Sequence, residues 1–436
     1  MAPSAARRSS RSRRTRVAAA AALAVLSSTL VACGGGSEKP VLTWYINPDP
    51  DPPPDFEGAF GLEGIAERCS TDAYDIQTEQ LPTAATEQRI QLMRRLAAND
   101  SSIDLMSIDP IFTAEFSEAG YLAELSESDQ EELSEGKVEG AVDAATWKDQ
   151  LVVAPQWLNT QLLWYRKSVA EKAGLDMTKP VTWEQIIDAA EETGTKVSIQ
   201  GNKYEGYVVL VNALIQGAGG AIVSELEKGE EMEVGLDSEA GDAAAAVIEK
   251  LAGSSAADPD LPVSNEGTAE ASFSGDTGGF MTNWTYIYLG YAETLKDDLG
   301  WARYPQTVEG QESKPPTGGI NIGIGAFSEN KEESLEATKC ITSLENQVTY
   351  ASETGGMPTL EEAYDAKELT ELYPSEVLAL FRESGNEGGP RPTTEYWATI
   401  VNAVLSRWHP QDAVTEETPS ESASFLERVL NGDSLV

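Results

Sequence analysis

Val41-Leu42-Thr43-Trp44-Tyr45-Ile46 opens a stretch that closes on Ile103-Asp104-Leu105-Met106-Ser107-Ile108, and the rhythm between them decides the fold. Val41 to Ile46 is an apolar run of strand length, and Gly64 to Arg68 has helical spacing. Tyr74 to Leu81 alternates as a strand, Glu87 to Ala98 carries a helical period, and Ile103 to Ile108 is apolar again. Strand, helix, strand, helix, strand predicts an α/β chain with a mostly parallel sheet wrapped by helices.

Beyond it, Ile111 to Ala119 and Asp129 to Lys137 read as helices, and Leu151 to Ala154 as a strand interrupted by Pro155. The pattern restarts with a strand at Thr160 to Tyr165. Helices follow at Ser168 to Ala173, Trp183 to Thr193 (with Thr182 as N-cap) and Val208 to Gln216. Glu239 to Ala252 is an Ala-rich helix and Gly278 to Met281 a buried strand. Gly318-Gly319 reads as a turn before a strand at Gly323 to Phe327. Lys331 to Asn346 reads as one helix, Gly355-Gly356-Met357-Pro358 as a loop, and Thr394 to Trp408 and Glu421 to Leu430 as closing helices. The run Pro48 to Pro54 is a loop at the end of the first strand, and no internal repeat is evident.

The N-terminus has a different character. Arg7, Arg8, Arg11, Arg13, Arg14 and Arg16 precede an apolar segment from Val17 to about Val31, followed by Leu30-Val31-Ala32-Cys33. The segment is shorter than the roughly 20 residues a spanning helix needs. The arrangement resembles a bacterial lipoprotein leader over residues 1–32, cut before a diacylated Cys33; an ordinary secretory leader with an incidental cysteine is the alternative. Residues 33–39, with Gly34-Gly35-Gly36-Ser37, read as a flexible tether. The expected location is the extracytoplasmic face of the cell membrane, with lipid as the only membrane contact.

Roughly 400 residues remain after the leader, which favours two domains. Removing the six leader arginines from 31 basic residues leaves 25 against 72 acidic ones, a net charge of −47. Such a surface repels phosphate and excludes nucleic acid as a partner. Once Cys33 carries lipid, Cys69 and Cys340 remain in a compartment where disulfides persist, either bridged or as two buried thiols.

The order of pieces resembles the maltose-binding-protein-like carbohydrate-binding lipoproteins of ABC importers across essentially the whole mature chain. The general marks are Ile103-Asp104-Leu105-Met106, Glu118-Ala119-Gly120-Tyr121-Leu122, Leu163-Trp164-Tyr165-Arg166, Phe280-Met281-Thr282-Asn283-Trp284, Gly318-Gly319-Ile320 and Gly356-Met357-Pro358. Trp44-Tyr45-Ile46-Asn47-Pro48, Glu87-Gln88-Arg89, Thr113-Ala114-Glu115-Phe116, Pro390-Arg391-Pro392 and above all Asn159 through Tyr165 are most similar to the mycobacterial trehalose-binding lipoproteins. Thr83-Ala84-Ala85 and the acidic stretch from Glu225 to Glu233 depart from them.

The resemblance implies a two-lobed periplasmic-binding-protein-like fold (type II). Residues 40–154 with 316–372 would form lobe 1 and residues 155–315 with 373–436 lobe 2, hinged near Pro155, Pro315 and Tyr373. It implies a monomeric receptor without cofactor that delivers a disaccharide, trehalose first among candidates, to ABC permease subunits. A disaccharide offers adjacent hydroxyls on rings with an apolar face, so its site needs carboxylates or amides and a flat aromatic. Hydrogen bonds to charged groups contribute roughly 1.5 to 3 kcal/mol each.

Carried over by resemblance, Asp109 lies at the C-terminal end of the third strand, with helix capping ahead of Ile111 as its alternative role. Asn159 would reach a hydroxyl or hold a turn, and Trp284 would stack on a ring or fill the core. Glu266 would bind or cap the helix near Gly267. Gly319 and the Met357 loop would supply backbone groups or be ordinary turns. Arg391 would present its planar fork to a hydroxyl, lock Asp109 or Glu266, or lie on the surface. Asn47, and Glu205 in a Tyr204-Glu205-Gly206 turn, complete the set.

A lipid-anchored glycoside hydrolase or lyase, using paired carboxylates, is the main rival. With 72 acidic residues, composition alone does not exclude it. The single His409 and the unclustered cysteines give no metal motif or His-dependent nucleophile, and no phosphate-cradling glycine motif occurs. A peptide receptor is disfavoured by the aromatic and amide candidates, and an iron receptor by the lack of clustered tyrosines.

Overall fold

The computed structural model describes residues 39–435; the leader and Cys33 lie outside the described residues. In chain order the strands are β1 Val41–Ile46, β2 Asp75–Gln80, β3 Leu105–Ile108, β4 Thr146–Trp147, β5 Gln150–Leu151, β6 Ala154–Arg166, β7 Lys196–Ser198, β8 Val223–Ser224, β9 Glu233–Val234, β10 Gly278–Trp284, β11 Leu299–Ala302, β12 Thr317–Ile324 and β13 Met357–Pro358. The main sheet follows β2-β1-β3-β12-β6-β10-β7, with β11 and β13 also on β6; β4/β5 and β8/β9 are separate pairs.

As the opening stretch predicts, β1 pairs parallel with β2 and with β3. The sheet is nevertheless mixed rather than mostly parallel, because β12 runs antiparallel to both β3 and β6, and β10 antiparallel to β6. The long β6 has two sets of neighbours. Its first half, Ala154 to Thr160, pairs with β12 and β13; its second half, Gln161 to Arg166, pairs with β10 and β11. One strand thus joins a β2-β1-β3-β12 half-sheet to a second half-sheet in which β6 lies between β11 and β10 and β7 pairs with β10.

Pro155 therefore does not break a strand; it sits near the start of β6. The register shifts on β12 between Ile320 and Asn321 opposite it, and a bulge or strand start is where a residue without an N–H is tolerated. The Pro155 carbonyl accepts from Lys137 Nζ at 3.1 Å and from the Thr359 hydroxyl at 3.3 Å. Leu151 belongs to the β4/β5 hairpin instead of leading into Ala154.

Gly318-Gly319 is likewise strand and not turn. Gly319 has φ +140°, and a Cβ there would lie 2.2 Å from the Trp157 carbonyl oxygen, so only glycine lets β12 approach β6 this closely.

Lys331 to Asn346 is two helices, Lys331–Ile341 and Leu344–Thr354. Asn346 and Gln347 make the break possible by donating 2.8 Å bonds to the Cys340 and Thr342 carbonyls that lose helical partners. The helix expected from Val208 starts at Glu205 and is buried along nearly its whole length. Gly206 permits the early start, since a Cβ there would fall 2.4 Å from the Tyr204 ring. The helix Trp183–Thr193 matches expectation, with Thr182 and Gln185 forming a reciprocal capping box.

Cys69, closing the helix Gly61–Cys69, is bonded to Cys340, closing the choice between a bridge and free thiols; their Cα atoms are 5.8 Å apart. Trp44 and Leu62 are fully buried in the larger core, and Trp164, Phe273 and Met281 in a second cluster that also holds Tyr373 and Phe381. Each such side chain contributes about 1.5 to 3 kcal/mol on burial. Among the described residues no helix is long and apolar enough to cross a membrane.

Candidate functional site

Asp109 follows β3 at its C-terminal end, where open α/β sheets receive ligands. Its carboxylate does two things at once. Oδ1 accepts from the Ile111 N–H at 3.2 Å, capping the turn, and from Arg391 Nη2 at 2.9 Å. Arg391 Nη1 donates to Glu205 Oε1 at 2.9 Å, and Trp397 Nε1 donates to the same oxygen at 3.2 Å. Glu205 is the first residue of the helix Glu205–Gly217 and not part of a turn.

The three charged side chains are 5 % (Arg391), 6 % (Glu205) and 17 % (Asp109) exposed, so Arg391 is no surface residue. Burial pushes the Glu205 carboxyl up, against the opposing pull of Arg391. Desolvation would lower Arg391, yet Asp109 and Glu205 together raise it further. The guanidinium stays charged and joins a residue of the first half-sheet to a helix beside the second. It forms its ion pairs with Asp109 and Glu205, not Glu266.

Gly318 on β12 is the point of convergence. A Cβ there would lie 2.9 Å from Asn159 Oδ1, 3.5 Å from Arg391 Nη2 and 3.5 Å from Trp284 Cη2. Asn159 comes from the first half of β6 and Trp284 from the end of β10, so both halves of the sheet meet here. Asn159 Oδ1, Asn47 Oδ1 and Trp157 Nε1 are out of solvent's reach without a hydrogen-bond partner among the described residues. Buried polar atoms usually have partners, so a small shift of these three side chains would leave them groups to offer water or a bound molecule.

That space is a cleft of about 780 Å³, which all but one of the nine expected ligand-binding residues line. The exception is Met357. It is 1 % exposed and packs in the second apolar cluster, pairing with Leu158, while the neighbouring Gly355 and Gly356 face the cleft. A second cavity of about 590 Å³ adjoins the first and shares Trp157, Asn159, Gly318 and Arg391 as its wall.

Glu266 opens the helix Glu266–Ser274, whose N-cap is Asn265, leaving the Glu266 carboxyl free of the capping role. Burial raises its pKa, opposed by its own backbone N–H and by the adjacent Tyr204 and Trp284.

Several cleft residues escaped the sequence reading. Trp157 stacks obliquely on Tyr350, ring centres 5.7 Å apart, and Tyr350 donates to Asp49 Oδ1 at 2.8 Å. Asp49 Oδ2 also accepts from the Leu62 N–H at 2.6 Å, and burial lifts the carboxyl to about 6. Tyr204 and Tyr286 complete the aromatic wall. Strand alternation of Trp157, Asn159 and Gln161 was the available signal for Trp157. No local pattern announces Tyr350, whose partner lies 301 residues away.

Among the described residues, no group of three His, Cys, Asp or Glu side chains is placed to hold a metal ion. The model of the bacterial extracellular solute-binding protein family matches residues 71–348, well over half of the chain. The chain belongs to that family.

This solute-binding protein is 24% identical over 315 residues to a probable ABC transporter-binding protein of Deinococcus radiodurans, covering 69% of this chain and 72% of that one. Its fold is similar to that of maltose-bound MalE3 of T. maritima, with a TM-score of 0.77 at 23% identity over 90% of this chain and 99% of that one. It is also similar to the GacH receptor of Streptomyces glaucescens, solved unliganded and with acarbose, with a TM-score of 0.73, 20% identity, and coverage of 91% and 100%. These likenesses identify the fold as that of two-lobed periplasmic binding proteins. The family is one of extracellular binding proteins rather than enzymes.

Proposed function

We propose that this solute-binding protein is the receptor of an ABC sugar importer, taking a disaccharide, trehalose first among candidates, into the 780 Å³ cleft and presenting it to the permease. The observation that carries the reading is the convergence of Asn159, Arg391 and Trp284 on Gly318 beside unpaired Asn47, Asn159 and Trp157 polar atoms. Adjacent sugar hydroxyls donate and accept together, matching amides and carboxylates, while Trp284 and Trp157 suit the C–H faces of the rings. The neighbours' maltose and acarbose complexes support the sugar class.

In this reading residues 40–154 with 316–372 and the bulk of 155–315 with 373–436 are lobes that close over the sugar, with crossings near Pro315 and Tyr373 and, on β6, at the change of partners between Thr160 and Gln161 instead of at Pro155. Cys33 would be lipidated, holding the protein at the extracytoplasmic face, where it acts as a monomer.

Calorimetric titration of the leaderless chain with trehalose, maltose and sucrose, with product analysis of the recovered sugar, tests the proposal. Tight heat with trehalose and unchanged sugar support it in full. Binding of another disaccharide alone discards the trehalose assignment, and cleavage of the sugar overturns the receptor reading in favour of a hydrolase.

A further inference from the structure

One corner of the cleft brings two carboxyl groups together without a cation. Glu266 and Glu270 lie four residues apart on the helix Glu266–Ser274, and both line the cleft. Like charges at this spacing repel one another. Neither forms an ion pair among the described residues, whereas Asp109 and Glu205 share Arg391, and Asp49, also without a cation, accepts hydrogen bonds from the Leu62 N–H and from Tyr350.

Three aromatic rings surround the pair. Tyr286 donates to Glu270 Oε2 at 3.3 Å, and Trp284 stands beside the Glu266 carboxyl. The Tyr204 hydroxyl, shielded from solvent, meets no partner at hydrogen-bond geometry, yet is near enough to Glu266 to affect its protonation. Elsewhere in the cleft Asp49 and Glu87 add negative charge, and Lys203 is the only lining cation besides the engaged Arg391 among the described residues.

Aromatic faces carry negative potential and attract cations, most strongly where water is excluded, and two adjacent carboxylates add to that field. Phosphate or carboxylate on a ligand would meet repulsion from Glu266 and Glu270 here, with Lys203 beside Tyr204 the one opposing cation among the described lining residues.

Building on the disaccharide reading, we infer that the Tyr204, Glu266, Glu270, Trp284 and Tyr286 corner is a subsite for a protonated amine, so that the preferred ligands are amino-bearing disaccharides. The amine replaces the cation that the two glutamates lack, and the three rings enclose it. Neutral disaccharides bind through the hydroxyl contacts around Gly318 but leave the corner uncompensated.

The test is calorimetric titration of the leaderless chain with matched trios built on trehalose and on maltose: the neutral sugar, its 6-amino-6-deoxy derivative and its 6-phosphate. The expected result is at least one amine binding about tenfold or more tighter than its neutral parent, roughly 1.4 kcal/mol, with no heat from either phosphate. The preference should shrink as NaCl is raised. Glu266→Gln and Glu270→Gln, checked for native melting, should each bring the amine-to-neutral ratio towards one, and either folded variant suffices. Neutral sugars binding as well as their amines overturn the inference while leaving the disaccharide receptor intact. Silence from both trios overturns the inference, and the disaccharide reading then stands or falls on the sucrose titration.

Discussion

Two corners of one cleft hold carboxylates in opposite circumstances. At the Arg391 corner, Asp109 and Glu205 share one guanidinium with distances of 2.9 Å on each side, and all three groups are withdrawn from solvent. At the Tyr204 corner, Glu266 and Glu270 have aromatic neighbours and no cation. The first corner is complete without a ligand and spans the two half-sheets. The second has its chemistry unfinished. Charge compensated within the protein can serve architecture, whereas on the proposal above the uncompensated pair would set ligand preference.

Breaking the first corner has the largest expected consequence. Arg391→Ala leaves two buried carboxylates without a partner and should cost about 3 to 5 kcal/mol in urea unfolding. Arg391→Lys should recover only part of that, since an ammonium lacks the planar fork that reaches both acids. Wild-type stability in Arg391→Ala would mean that the corner does not tie the halves together.

Trp284→Ala tests the opposite side of the convergence. It should fold normally and lose on the order of 100-fold in sugar affinity by calorimetry, the loss typical of a buried aromatic anchor. Retained affinity would remove Trp284 from the site.

Gly318→Ala is a finer probe, placing a Cβ 2.9 Å from Asn159 Oδ1, the far end of a side chain that can swing away. Affinity should fall roughly tenfold, about 1.4 kcal/mol, with the melting temperature nearly unchanged.

The smallest effect concerns Asp49, a carboxylate with no cation partner that accepts two hydrogen bonds. Its folded pKa of about 6 lies above its ordinary value of 3.8, so the native state holds the proton more tightly. That contribution to stability is fully present below about pH 4 and is lost as pH rises through about 6, on the order of 1 kcal/mol after allowance for partial exposure. Asp49→Asn should flatten this segment of a stability-versus-pH curve, and an unchanged slope would assign it to other groups.

The sequence was most legible where local pattern and tertiary role agree. The opening βαβαβ stretch reads correctly because β1, β2 and β3 are separated by helices of their own period. Reading failed where backbone geometry depends on a distant partner. Pro155 and the Gly318-Gly319 pair look like interruptions in isolation, and only the register between β6 and β12 makes them strand. That error hid Trp157, since treating the strand as starting at Thr160 removed the alternation linking Trp157 with Asn159. Of the Met357 loop, expected to offer backbone groups, Gly355 and Gly356 line the cleft while the Met357 side chain packs in the second apolar cluster. The Arg391–Asp109 contact, 282 positions apart, was among the options that resemblance offered; the Arg391–Glu205 contact, 186 apart, was not, and periodicity indicates neither.

The continuity of β6 has a mechanical meaning. Trp157 and Asn159 occupy the part of the strand that leads from one half-sheet into the other, so the rod that carries the load also bears the handle. On the proposed reading, a ligand held by those two residues would bear directly on the strand that both halves share, so the point of contact and the connection would be one piece of chain.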